Sequence, residues 1–338
     1  MATLTPDDVA RQLRISPETV RRYIRDGQLP AQKVGGQYRI ASTDLAIFTG
    51  ATGGTALPRV AVIAVTNQKG GVGKTTTAVA VAAALRDLDQ RVLLIDADPQ
   101  GNATAWLGFD RAQRYLSLYE ILKEAAQPTG DADLSPAIVV IEPGLDLVPA
   151  HINMTALDIE LVGALEREWL LHDLVRALEG RYDYIVIDLP PTLTLLAVAS
   201  LLAADSVLIP QVPDAVSVQG LGQLLDTLRH LRRAKRKRQE DLTVLGVLLT
   251  QVRANTDHHR QYRTFIAEFC TAREIPFLSA PSEQTRGQGD YVEIPATIRA
   301  PDAAGRHIPL SRYPEGREAA AAYRKLAHLL IPMEAAHV

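Results

Sequence analysis

Residues 60–76 read Val60-Ala61-Val62-Ile63-Ala64-Val65-Thr66-Asn67-Gln68-Lys69-Gly70-Gly71-Val72-Gly73-Lys74-Thr75-Thr76, and this stretch decides the fold. Its first six residues are an apolar run of buried-strand length, and Thr77 to Arg86 is alanine-rich and helix-like. The glycine-rich turn between them lets backbone N–H groups point inward at a polyphosphate without Cβ clashes. It also sits at a helix N-terminus, where the dipole favours an anion. Lys74 is placed to set a point charge on the β- and γ-phosphates, and Thr75 to give its hydroxyl to Mg²⁺. Lys69, Gly70, Gly71, Val72, Gly73 and Thr76 complete the candidate nucleotide cradle.

Outward from this loop, apolar strand candidates alternate with helical patterns. The candidates are Val60–Val65, Arg91–Ile95, Leu145–Val148, Tyr184–Ile187, Ser206–Ile209 and Leu242–Leu249. The alternation predicts an α/β, doubly wound, mostly parallel sheet of the P-loop NTPase type, which keeps its ligands at the strand ends. Carboxylates stand at two of those ends. Leu93-Leu94-Ile95-Asp96-Ala97-Asp98-Pro99-Gln100-Gly101-Asn102 supplies a pair, and Tyr184-Ile185-Val186-Ile187-Asp188-Leu189-Pro190-Pro191 supplies one more. The piece from Ser282 to Pro309 is rich in Gly, Pro and polar residues and reads as loop with one strand at most. A final helix spans Glu315 to Leu330.

An ordinary phosphate-binding loop needs no lysine at position 69. KGGVGKTT, together with the two carboxylate strings, resembles the deviant Walker A motif and its companions in ParA/MinD-type ATPases, over most of residues 59–330. The resemblance implies ATP and Mg²⁺ as cofactors and hydrolysis at a weak, partner-stimulated rate. It implies that Lys69 reaches across a homodimer interface to the partner's nucleotide, making Lys69, Lys74 and Asp98 the catalytic set. Asp98 would orient the attacking water. Thr75, Asp96 and Asp188 would serve the metal, the last two through its hydration shell, and Gln100 to Asn102 would sense the γ-phosphate. Leu189 stands where the family carries Cys or Thr, and Gln251-Val252-Arg253 replaces an apolar residue and Asp after Thr250. The family's Ala-Pro-Ser near the base pocket is displaced, to Ala280-Pro281-Ser282 or to the Asp302-Ala303-Ala304 segment.

The first 48 residues follow another grammar. Thr5-Pro6 caps a short helix with Val9, Ala10 and Leu13 on one face. After a turn at Arg14-Ile15, Ser16-Pro17 caps a second helix, which Gly27 stops. It turns Val20, Tyr23 and Ile24 inward and Thr19, Arg21, Arg22 and Arg25 outward. Residues 31–40 form two strands about Gly35-Gly36, and Asp44 to Phe48 begins a last helix. This resembles the winged helix-turn-helix of MerR and excisionase-type proteins. The resemblance puts the second helix in a DNA major groove, with Lys33 and Arg39 on the phosphate backbone. Residues 49–58, mostly Gly, Thr and Ala, read as a linker, which leaves 59–338 as the ATPase domain.

Composition narrows the function classes. The chain has 338 residues, 47% hydrophobic and 22% charged, with a net charge of −3, so any nucleic-acid binding rests on local patches. One cysteine, Cys270, excludes a disulfide framework or a CxxC metal site and fits a reducing cytoplasm. No run of 18 apolar residues offers a membrane span. Arg229, Arg232, Arg233, Lys235, Arg236, Lys237 and Arg238 place seven positive charges within ten residues, with Arg253 as a further candidate. Such a cluster suits sequence-independent binding of DNA phosphates. By resemblance, the leading expectation is a cytoplasmic, nucleoid-associated partition ATPase for plasmid or chromosome, with a ParB-like centromere-binding partner. The alternatives are a transcriptional regulator that uses ATP as a dimerisation switch, and a MinD-like positioning ATPase. The last is disfavoured because residues 329–338 hold no Lys or Arg and Pro332 breaks the terminal helix.

Overall fold

The computed structural model describes residues 3–13, 17–25, 29–34, 37–41, 45, 60–109, 115–127, 132–253, 257–279, 291–297 and 299–335. The chain divides into two compact units, Met1–Val60 with Leu174–Asp183, and Ala61–Asp173 with Tyr184–Val338.

In the smaller unit, helices Pro6–Leu13 and Pro17–Arg25 precede strands β2 (Gln32–Val34) and β3 (Gln37–Ala41). A short strand β1 (Thr3–Leu4), absent from the sequence reading, pairs antiparallel with β3 and makes the sheet order β1-β3-β2. Thr5 caps the first helix reciprocally: its Oγ1 accepts from the Asp8 amide at 3.1 Å, and its amide donates to Asp8 Oδ2 at 3.0 Å. Val9, Ala10, Val20, Tyr23, Leu29, Ile40 and Leu45 are the core. Residues 174–183 join this unit, where the Tyr23 hydroxyl donates to the Gly180 carbonyl at 3.0 Å. The Arg14-Ile15 turn, Gly27, Gly35-Gly36, the 49–58 linker and most of the 44–48 segment lie outside the described residues.

The larger unit realises each predicted strand within two residues: β4 (Ala61–Val65), β5 (Val92–Asp96), β7 (Leu145–Val148), β8 (Tyr184–Asp188), β9 (Ser206–Gln211) and β10 (Thr243–Leu249). An unpredicted β6 (Val139–Glu142) adds an antiparallel edge, giving the order β10-β9-β4-β8-β5-β7-β6. Its residues are half-buried or exposed, so it lacks the continuous apolar run of the parallel strands. β4 lies between β8 and β9, at the switch point where a doubly wound sheet opens its ligand crevice.

Helix Lys74–Asp87 leaves β4 and is buried along most of its length, from Thr77 to Leu85. Its alanines admit the terminal helix, whose Ala319, Tyr323, Leu326 and Leu330 join the same core. The Thr77 and Tyr323 hydroxyls share a buried hydrogen bond of 3.1 Å. Two expectations are corrected in the C-terminal third. Residues 299–305, read as loop, form a helix, as Ala303 supplies an apolar contact to the core. The last helix runs Arg317–Ala335, through Pro332, because a proline in the final turn removes only one hydrogen bond.

Helix Asp257–Thr271 carries a buried cation. Arg263 is 1% exposed and pairs with Glu293 at 2.7 Å. Arg263→Ala is expected to cost about 3–5 kcal/mol of unfolding free energy by removing one partner of this buried ion pair, which urea denaturation would measure.

Candidate functional site

The loop after β4 is shaped by Gly71 and Gly73, whose φ angles of 74° and 87° suit glycine. Its lysine is enclosed: Lys74 is 7% exposed, and its Nζ donates to the Lys69 carbonyl at 3.2 Å. Burial lowers the Lys74 pKa, against the pull of Asp188 and Asp98. Thr75 and Thr76 are half-buried at the helix start, while Gly70 and Gly71 are exposed. Lys69 is held within its own chain, with Nζ 2.6 Å from Asp214 Oδ2.

A buried polar frame backs the loop. Asn67 accepts from the Lys69 amide at 3.0 Å and donates to the Pro210 carbonyl at 2.8 Å and to Gln211 Oε1 at 3.0 Å. These residues end β4 and β9, where sequence reading saw only apolar strands. Thr250 and Gln251, just past β10, reach the Val72 and Gly71 carbonyls at 2.7 and 2.5 Å.

Strand register gathers the carboxylates. Asp96 pairs directly with Asp188 across β5 and β8, so both emerge at the same edge of the sheet. Asp96 Oδ2 accepts from the Thr104 amide at 2.8 Å and hydroxyl at 2.7 Å, and Oδ1 accepts from the Asp98 amide at 3.2 Å. Burial nevertheless pushes its carboxyl up to about 6. Asp98 accepts from the Gln100 amide at 2.9 Å and is 7% exposed. Asp188 is fully buried, and neither oxygen accepts a hydrogen bond of ordinary geometry. Its pKa is driven well up, first by burial and then by Asp96 and Asp98, with the Thr75 hydroxyl and Lys74 opposing.

An orphaned buried carboxylate beside a threonine hydroxyl fits a hydrated divalent cation. Among the described residues no three His, Cys, Asp or Glu side chains form a metal cluster. Asp188 and the Thr75 hydroxyl suit Mg²⁺, which takes one or two carboxylates and completes its shell with phosphate and water oxygens.

Residues 60–243 match the family model described as an AAA domain. The chain is 38% identical to the sporulation initiation inhibitor protein Soj of Bacillus subtilis (strain 168) over 258 residues, 71% of this chain and 98% of Soj. It belongs to the ParA/MinD-type ATPases. Against the chromosome partitioning protein ParA of Caulobacter vibrioides (strain NA1000 / CB15N), the identity is 36% over 280 residues, 81% of this chain and 94% of that one. A solved structure of cobyrinic acid a,c-diamide synthase from Mycobacterium smegmatis, with bound ADP and magnesium, superposes with a TM-score of 0.64. It is 32% identical and covers 80% of this chain and 94% of its own. Residues 3–49 match a helix-turn-helix domain. No helix among the described residues is long and apolar enough to cross a membrane.

This ParA/MinD-type chain presents a smaller basic surface than its sequence suggests. Lys235 must be withdrawn from the DNA-contact set: it is fully buried, donates to the Ala204 carbonyl and pairs with Glu240 at 3.3 Å. Arg232 is clamped on both Asp241 oxygens at 2.6 Å, and Arg236 lies 3.4 Å from the same carboxylate. Arg238 stacks over Trp169 at 4.0 Å and pairs with Glu166 at 2.7 Å. Arg229 meets Asp226 at 2.7 Å. Arg233 and Lys237 are exposed, with no ion pair among the described residues. Arg253 is exposed, and its amide donates to His259. Sequence reading missed Arg273, which stacks on Phe269 at 3.7 Å and lines a cavity of about 180 Å³ with Arg229 and Arg232.

In the smaller unit Arg25 and Lys33 are exposed, Arg39 is half-buried, and Arg21 lies 3.8 Å from Asp7. The side chains of Thr19 and Arg22 fall outside the described residues, as does Ala280-Pro281-Ser282. Asp302-Ala303-Ala304 lies within the helix Arg299–Gly305.

Proposed function

We propose that this chain is a Mg²⁺-dependent ATPase that partitions DNA, a plasmid or a chromosome. The observation that carries the reading is the glycine loop with Lys74 enclosed against Asp188 and Asp98 at a sheet switch point. Lys74 binds the β- and γ-phosphates, Thr75 and Asp188 face the metal, and Asp98 orients water. Asp96 braces the switch through Thr104. Magnesium, when bound, neutralises charge on the phosphate oxygens. ATP closes a homodimer in which Lys69 leaves Asp214 for the partner's nucleotide. The dimer binds nucleoid DNA through Arg229, Arg233, Arg236 and Lys237, and a ParB-like, centromere-bound protein stimulates its slow hydrolysis. Kinship with Soj and with a chromosome partitioning ParA supports partition.

A second activity is favoured by the helix-turn-helix match: one operator bound through Arg21, Arg22 and Arg25. Full-length variants separate the two. Neutralising Arg229, Arg233, Arg236 and Lys237 should weaken binding to any duplex in an ATP-dependent way. It should also flatten the salt slope by about 0.9 for each phosphate that the variant no longer neutralises. Replacing Arg21, Arg22 and Arg25 should spare that activity and erase one footprint. Loss of all DNA binding in the second variant alone would instead make the chain a transcriptional regulator.

A further inference from the structure

We infer that Thr250 and Gln251 are positioning residues for phosphate binding, acting through the carbonyls of the glycine loop. This rests on the nucleotide reading above and extends it to two side chains outside the loop. A trans peptide unit points its C=O and its N–H in opposite directions. The Gly71 carbonyl and the Val72 amide share one such unit, and the Val72 carbonyl and the Gly73 amide share the next. Gln251 Nε2 holds the first carbonyl at 2.5 Å, and Thr250 Oγ1 holds the second at 2.7 Å. Drawing both oxygens toward β10 turns both N–H groups the other way, into the concave side of the loop. Flanking residues 71 and 73 are in the left-handed region, so the loop has easy alternative conformations that this clamp removes.

The clamp is itself anchored. Thr250 is 2% exposed, its amide donates to the Gln211 carbonyl at 2.9 Å, and Gln211 Oε1 receives the Asn67 side chain at the loop entry. An alanine Cβ at position 73 would lie 3.9 Å from the Thr250 Cβ, ordinary packing contact, so Thr250 backs the loop as well as bonding it. Gln251 is exposed but adopts a φ of 53°, uncommon outside glycine. That conformation carries its amide back over the loop. No catalytic role follows for either residue, because each side chain donates its hydrogen bond to a backbone carbonyl of the loop.

The test uses the full chain with Thr250→Val, Thr250→Ser, Gln251→Ala and wild type, titrated with MgATP and separately with inorganic pyrophosphate. Thr250→Val and Gln251→Ala should each weaken both ligands by about tenfold, the scale of one misaligned charge-assisted hydrogen bond. Thr250→Ser, which keeps the hydroxyl, should bind as wild type does. The ligand-free melting temperature of Gln251→Ala should match wild type, which a merely structural role would not allow alongside its lost affinity. Wild-type affinity for pyrophosphate in both Thr250→Val and Gln251→Ala would overturn the inference. So would equal losses in Thr250→Ser and Thr250→Val. Failure of the wild-type chain to bind either ligand would instead overturn the nucleotide reading itself.

Discussion

Lys74→Ala is expected to weaken MgATP binding by on the order of 100-fold, because a charged donor to phosphate contributes more than a neutral one and each 1.4 kcal/mol is a tenfold change. The loss has a second source in this chain. Lys74 opposes the upward drive on the Asp188 pKa that burial, Asp96 and Asp98 produce. Without the ammonium, Asp188 and Asp98 lose the cation that offsets their charge as a polyphosphate enters. Equilibrium titration with a fluorescent nucleotide checks the outcome, and near-normal affinity would remove the loop from the phosphate site. A partner experiment on Lys74→Arg separates charge from shape. A guanidinium keeps the charge but is planar and bulkier, so binding should recover only in part.

Asp98→Ala should leave MgATP binding nearly intact and slow hydrolysis by about 100-fold, the usual loss when a group that positions or deprotonates the nucleophile is removed. Asp98 is not part of the glycine loop. Its observed hydrogen bond supports only the Gln100 turn. Removing it also relieves the repulsion it imposes on Asp96 and Asp188, so the site keeps its architecture. Single-turnover hydrolysis beside the same binding titration distinguishes the cases. A variant that hydrolyses normally would free Asp98 from the chemistry, and one that neither binds nor hydrolyses would make it structural.

The sequence alone determined the sheet and the phosphate loop, because both are written in local pattern. A continuous apolar run marks a strand buried on both faces, and Gly71 and Gly73 stand where a turn needs left-handed backbone. Asp96 and Asp188 were legible as strand-end carboxylates. The register that pairs them lies in no local signal, since it depends on which strands become neighbours. β6 and the helix Arg299–Gly305 escaped because each takes its stability from packing against the rest of the fold rather than from a long periodic pattern. The basic cluster shows the limit most plainly. Seven charges could be counted along the chain, but Asp241, in the loop that follows, clamps Arg232, while Glu166 and Trp169, brought in from a distant segment, occupy Arg238. Burial withdraws Lys235. Charge is a property of residues, whereas its availability is a property of neighbours, and only the tertiary structure supplies those. The same holds for Lys69, whose motif foretold a reach outward and whose present partner, Asp214, stands 145 positions away along the chain.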